Sequence, residues 1–170
     1  MRLRVVLVVT VLGLAALSAP CAASEGEHAL SFSLGYATYA IPDYNPHGGV
    51  FGVDYERGFS DAFSFRLSGG LGGYRGDGLS TYSGHLVAGL TYLFDVVKYV
   101  PYANLGIGGI VIAGGEDGTR SSVLVELGVG VDVLRSRSFS YGIGLRFETF
   151  LQETSFFTAG LRATWRWGFF

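Results

Sequence analysis

The chain has 170 residues, 49% of them hydrophobic and 15% charged, with 27 glycines and a mean hydropathy of +0.37. Its length suggests one domain, its apolar content excludes disorder, and its glycine share is about twice the usual one. A formal net charge of -2 and an isoelectric point near 5.9 argue against a basic surface that would neutralise phosphates, so nucleic acid is not an expected partner.

Arg2 and Arg4 precede an uncharged apolar run from Val5 to Leu17, and small residues follow from Ser18 to Ser24. This is the order of a secretory signal peptide cleaved after Ala23, and the run falls short of the ~20 residues of a spanning helix. The expected organisation is a signal peptide over 1–23 and one domain over 24–170. Cys21 follows Pro20, where lipoprotein signals carry a small non-proline residue, so no lipid anchor is expected. Cleavage removes the single cysteine, and with it any disulfide. Without Arg2 and Arg4, 10 basic residues face 14 acidic ones, a formal charge of -4.

From residue 30 onward the recurring pattern has period two, which predicts strands with one apolar face. Leu30, Phe32, Leu34 and Tyr36 alternate with Ser31, Ser33 and Gly35 before Pro42 to His47 break the run. Phe51, Val53 and Tyr55 alternate with Gly52, Asp54 and Glu56; past Ser60 to Ala62, Phe63, Phe65 and Leu67 alternate with Ser64, Arg66 and Ser68. Tyr82, Leu86, Leu90, Tyr92 and Phe94 oppose Ser83, His85, Gly89 and Thr91, and Ala103, Leu105, Ile107 and Val111 oppose Asn104, Gly106 and Gly108. The clearest segment sets Val123, Val125, Leu127, Val129, Val131 and Val133 against Leu124, Glu126, Gly128, Gly130, Asp132 and Leu134. Phe139, Tyr141, Ile143, Leu145 and Phe147 then oppose Ser140, Gly142, Gly144, Arg146 and Glu148. Last, Phe157 to Phe169 on odd positions oppose Thr158, Gly160, Arg162, Thr164, Arg166 and Gly168.

Eight such strands predict an all-β fold, an eight-stranded antiparallel up-and-down transmembrane β-barrel. A soluble barrel would point its apolar face inward. Here the polar face carries most of the strand glycines, as suits an interior only wide enough for side chains to fill. Phe59, Phe63, Phe94, Phe139, Trp167 and Phe169 share the apolar parity near one rim, which predicts an aromatic girdle at a membrane interface. Arg57, the one charged residue on that parity, can snorkel to the headgroups. With the N-terminus periplasmic, turns fall at Ser60 to Ala62, Asp95 to Val100 and Arg135 to Ser138. Short outer loops fall at Pro42 to Gly48, Arg75 to Leu79, Gly114 to Ser122 and Leu151 to Ser155.

From about Glu27 to Phe170 the sequence resembles the small outer-membrane β-barrel superfamily, the opacity-type proteins and the OmpA-like transmembrane domain. The most family-like stretch runs from Tyr92-Leu93-Phe94-Asp95 through Val100-Pro101-Tyr102 to Gly106-Ile107-Gly108-Gly109, together with the aromatic C-terminus. The resemblance implies an integral Gram-negative outer-membrane protein, in contact with outer-membrane lipid and lipopolysaccharide, without a cofactor, and monomeric. It also implies recognition of the C-terminal aromatic strand by the barrel-assembly machinery, although Phe170 stands one step out of phase with Trp165, Trp167 and Phe169.

Few residues suggest chemistry. His28, His47 and His85 are scattered, without a carboxylate pair at ligand spacing, so no metal site is expected. Gly106, Gly128 and Gly142 begin Gly-x-Gly pairs that lack the third glycine of a dinucleotide loop and read as small lumen residues. Arg75-Gly76-Asp77 reads as a polar turn before it reads as an adhesion tripeptide. His47, Asp77 and Ser80 occupy loops comparable to those of the lipid A palmitoyltransferase barrels, but Asp and Ser are separated here. The His-x-Ser pair of lipid A deacylase barrels has no counterpart beyond His85, so no catalytic residue is assigned. The candidate functional set is instead a lumen ion-pair group: Asp54, Glu56, Glu126, Asp132 and Glu148 against Arg66, Arg146, Arg162 and Arg166. The expected role is a structural barrel for envelope integrity, with a porin-like channel for small solutes or hydrophobic molecules as the alternative and a lipid A acyl-modifying enzyme third. The nearest-neighbour pair expected in the lumen is Glu56 with Arg66, facing each other across the short turn at Ser60 to Ala62.

Overall fold

Alternation on the scale of a membrane thickness becomes eight strands in the computed structural model, which describes residues 25–40, 46–76, 79–94, 98–114, 118–150 and 155–168. They are β1 (His28–Ala40), β2 (His47–Gly58), β3 (Phe63–Gly76), β4 (Leu79–Leu93), β5 (Tyr99–Gly114), β6 (Arg120–Ser136), β7 (Phe139–Phe150) and β8 (Ser155–Trp167). Each pairs antiparallel with its sequence neighbour, and β1 pairs with β8 from His28↔Trp167 to Ala40↔Ser155, so the sheet closes with no free edge. Closure satisfies every ladder position within the barrel, the condition for placing backbone in hydrocarbon. The expected signal peptide, Asp77 and the final residues Phe169 and Phe170 lie outside the described residues.

Several strands outrun the alternation. Arg75 and Gly76 belong to β3, Arg120 to Ser122 to β6, and Arg135 and Ser136 to β6, all assigned by sequence to connections. The ladder explains this, because backbone pairing does not require an apolar side chain: Ser121 and Ser122 pair with Val111 and Ile110. The pairing of β6 with β7 shifts between Leu134 and Ser136, a bulge or irregularity beside the turn that joins them. Because β3 continues to Gly76, Arg57 shares the outward parity with Arg75 at the opposite rim rather than being alone there.

The apolar parity faces out. Leu34, Leu71, Leu86, Ile107, Ile143 and Leu161 are each at least 60% exposed, whereas their polar-parity neighbours are buried or half-buried. A belt of this size on a closed barrel needs lipid rather than water. Among the described residues, no helix is long and apolar enough to cross a membrane.

The expected girdle is present at the rim where β2 turns into β3. Phe59 stacks on Phe63 with ring centroids 6.2 Å apart, Phe63 meets Tyr92 at 4.9 Å, Tyr92 meets Phe94 at 4.6 Å, and Phe139 meets Trp165 at 4.7 Å. His28 joins it, stacked between Tyr55 and Trp167 and hydrogen-bonded through Nδ1 to the Tyr55 hydroxyl at 2.7 Å. A histidine that is isolated in sequence thus belongs to the aromatic ring of the interface.

Val129 lies mid-strand in β6, 52% exposed on the outward face. Val129→Arg should cost roughly 2 to 4 kcal/mol, the penalty for a cation at the bilayer midplane, measured by urea unfolding in lipid vesicles. Spin labels at 127, 129 and 131 should report lipid and those at 128 and 130 should not; the reverse would invert the two faces.

Candidate functional site

Inward side chains of β1 to β8 meet in a space that backbone curvature keeps narrow, so size is matched residue by residue. Tyr102 of β5 reaches over Gly130 of β6 to Gly144 of β7, where a Cβ would stand 2.6 Å from its hydroxyl. Asn104 lies over Gly128 and Asp132 over Gly142 in the same way, and His85 of β4 lies over Gly70 of β3. These glycines are notches that seat a larger side chain, whereas Gly35, Gly89, Gly108 and Gly160 lie close against the backbone of the next strand.

Two charged layers fill this space. Nearer the turns, Arg162 donates to Glu56 Oε1 at 2.6 Å and to Ser31 Oγ at 2.8 Å, with its guanidinium 4.5 Å above the Tyr102 ring. Ser31 and Thr164 share a hydrogen bond at 2.9 Å across the closing pair β1 and β8, and Thr164 and Ser140 donate to Asp132 Oδ2. Arg166 donates to Ser140 Oγ at 2.7 Å and lies 3.5 Å from Asp132 and 3.6 Å from Glu27.

The second layer spans the barrel. Arg66 on β3 donates to Asp54 Oδ1 at 2.7 Å, to its own strand's Ser68 at 2.9 Å, and to Glu126 Oε1 on β6. Arg146 on β7 takes the other oxygen of Asp54 at 2.5 Å. Strands that are three apart around the ring are thus tied through one carboxylate. Glu148 on β7 lies 3.8 Å from His85 Nδ1 and is the direct register partner of Glu126.

Above these layers, toward the outer connections, the lumen turns apolar: Ala37, Val50, Tyr74, Val87, Ile110, Leu124 and Phe156 form one buried cluster. Val50, Val87, Leu124 and Phe156 sit on the inward parity of the sequence, so this apolar section departs from the wholly polar lumen that alternation predicts.

All nine expected lumen residues face inward, and Arg146 and Arg166 are the least covered. The register places Glu56 opposite Arg66, as the turn over 59–62 requires. Their charged groups do not pair, which corrects the sequence reading. Direct neighbours point side by side, whereas a guanidinium reaches across a narrow lumen; Arg66 goes to Asp54 and Glu126, and Glu56 is taken by Arg162 from β8. The expectation that His85 has no carboxylate pair nearby also fails, because Glu126 and Glu148 approach it from distant strands.

The outer-rim candidates are less connected. His47 Nδ1 is hydrogen-bonded to the Tyr36 hydroxyl at 2.8 Å and stacked on its ring, and β3 stands between His47 and Ser80, through the pairs His47↔Arg75 and Arg75↔Ser80. Asp77 lies outside the described residues.

Arg66→Ala should cost about 3 to 5 kcal/mol, because it strands Asp54 and Glu126 in a buried space. In urea-unfolding cycles the coupling of Arg66 with Asp54 should exceed that of Arg66 with Glu56, and Glu56 should couple to Arg162; equal coupling of Arg66 to both acids would contradict the pairing described above.

No protein-family model and no curated protein matches the chain. Solved structures do. Ail, the attachment invasion locus protein of Yersinia pestis, aligns at 18% identity with a TM-score of 0.62, over 85% of this chain and 100% of that one. Neisserial surface protein A aligns at 15% identity and 0.64, over 85% and 100%. The outer membrane enzyme PagL aligns at 12% identity and 0.55, over 80% and 97%. At these identities the likeness is one of fold: the chain is an eight-stranded, closed antiparallel barrel of the kind found in small outer-membrane proteins.

Proposed function

We propose that the protein is a structural, non-catalytic barrel of the Gram-negative outer membrane that contributes to envelope integrity and does not conduct. The observation that carries this reading is the cross-lumen tie of Asp54, Arg66, Glu126 and Arg146, capped by the apolar cluster around Leu124 and Phe156. An ion following the axis would have to break buried ion pairs and then cross an apolar plug, both costly in a low-dielectric interior. The outward belt and aromatic girdle fit outer-membrane lipid and lipopolysaccharide as surroundings, and Trp165 and Trp167 on β8 supply the aromatic strand that the barrel-assembly machinery would read. Export by residues 1–23 and a monomeric state belong to the same proposal.

PagL shows that this fold can carry catalysis. His47 is engaged by Tyr36 and separated from Ser80 by a strand, which disfavours an acyl-transfer site at the outer rim.

Refolded protein in a planar bilayer should give no discrete conductance steps, and the double variant Arg66→Ala, Leu124→Ala should conduct more than wild type. Stable open steps in the wild type would favour the solute channel. Transfer or release of acyl groups on incubation with lipid A and phospholipid would favour an enzyme.

A further inference from the structure

We propose that His85, Glu126 and Glu148 form a binding site in the lumen for one divalent transition-metal ion of the zinc class. The three residues come from β4, β6 and β7, and one ligand atom from each lies within 4.8 Å of the others. An ion bonded at about 2.0 to 2.2 Å to imidazole nitrogen and carboxylate oxygen holds its ligands no more than about 4.4 Å apart, so small side-chain rotations would close the three onto one centre.

Two buried atoms in the cluster lack hydrogen-bond partners: Nε2 of His85 and Oε2 of Glu126. Glu126 is 0% exposed, and Arg66 occupies its other oxygen, so Oε2 is a desolvated lone pair without a donor. Such a group costs about 1 to 3 kcal/mol or more when left unsatisfied. A cation coordinated by both would satisfy a free carboxylate oxygen and an imidazole nitrogen together.

Charge points the same way. Glu126 and Glu148 are direct register partners, and like charges facing across two strands repel. One dication bound between them would offset that repulsion.

The surroundings suit coordination. Gly70 lies beneath the imidazole, where a Cβ would come 2.6 Å from Cε1 and Nε2, so the ring is seated against β3. A cavity of about 30 Å³, lined in part by His85, Arg146 and Glu148, adjoins the cluster. It has room for a water that would complete the shell. One imidazole and two carboxylates, with no thiolate, suit zinc or manganese better than a soft metal. Because the layers on either side are closed, the ion would enter as the barrel folds and exchange slowly afterwards. This site does not depend on whether the barrel conducts.

The test is metal content after refolding of the full chain into lipid vesicles with zinc chloride, followed by passage over a chelating resin. The expected result is one zinc per chain for wild type, reduced more than about tenfold in Glu126→Gln, Glu148→Gln and His85→Gln. His28→Gln and His47→Gln should retain it. Heat-modifiable gel migration checks that each variant folds, and cobalt substituted for zinc should give a visible absorption band in wild type that Glu126→Gln lacks. Negligible metal in wild type refolded with zinc would overturn the proposal, as would full retention in both Gln variants of the glutamates or loss on changing the rim histidines.

Discussion

An eight-stranded barrel leaves an interior only wide enough for side chains to fill, so the charges placed there are held mainly by one another. That constraint organises the molecule. It explains why Asp54 serves two arginines from opposite walls, why Arg162 lies on the Tyr102 ring, and why serine and threonine hydroxyls fill the intervals between charges. Pairs of this kind offset a large desolvation cost and contribute little beyond it. Their effect is to fix how strands on opposite sides of the ring sit relative to one another, which ladder hydrogen bonds between neighbours do not do directly.

The faces of the barrel were legible in the sequence because a period of two is a local property: each of Leu127, Val129 and Val131 declares its side through its immediate neighbours. The turn at Ser60 to Ala62 was legible as well, and it set the register of Glu56 opposite Arg66, though not their ion pairs. What fills the centre was not legible. Whether Arg66 meets Glu126 depends on the stagger accumulated through β4 and β5, and no short segment encodes that sum. Parity likewise placed Leu124 and Val87 inside without disclosing that residues from several strands gather at one height into an apolar cap. His85 looked isolated because its neighbours lie far along the chain, on β6 and β7.

Glycine carried information of two kinds. Its concentration on the inward parity signalled a narrow interior, and this much composition and alternation could reveal. That Gly130 and Gly144 make room for the Tyr102 ring, or Gly128 for Asn104, is a pairwise fit that exists only after the strands are in register. The small and large residues therefore act together, and replacing a lumen glycine by alanine disturbs a neighbour on another strand more than its own backbone.

The pairing of β1 with β8 brings the first and last strands side by side, with His28 opposite Trp167. A short linker between these two strands, with a new opening at one of the outer connections, would keep all eight pairings while changing which strand is made last. The order of synthesis is thus separable from the order around the ring. A circularly permuted chain could ask whether the cell's insertion apparatus reads a particular strand by its residues or by its place at the end of the polypeptide.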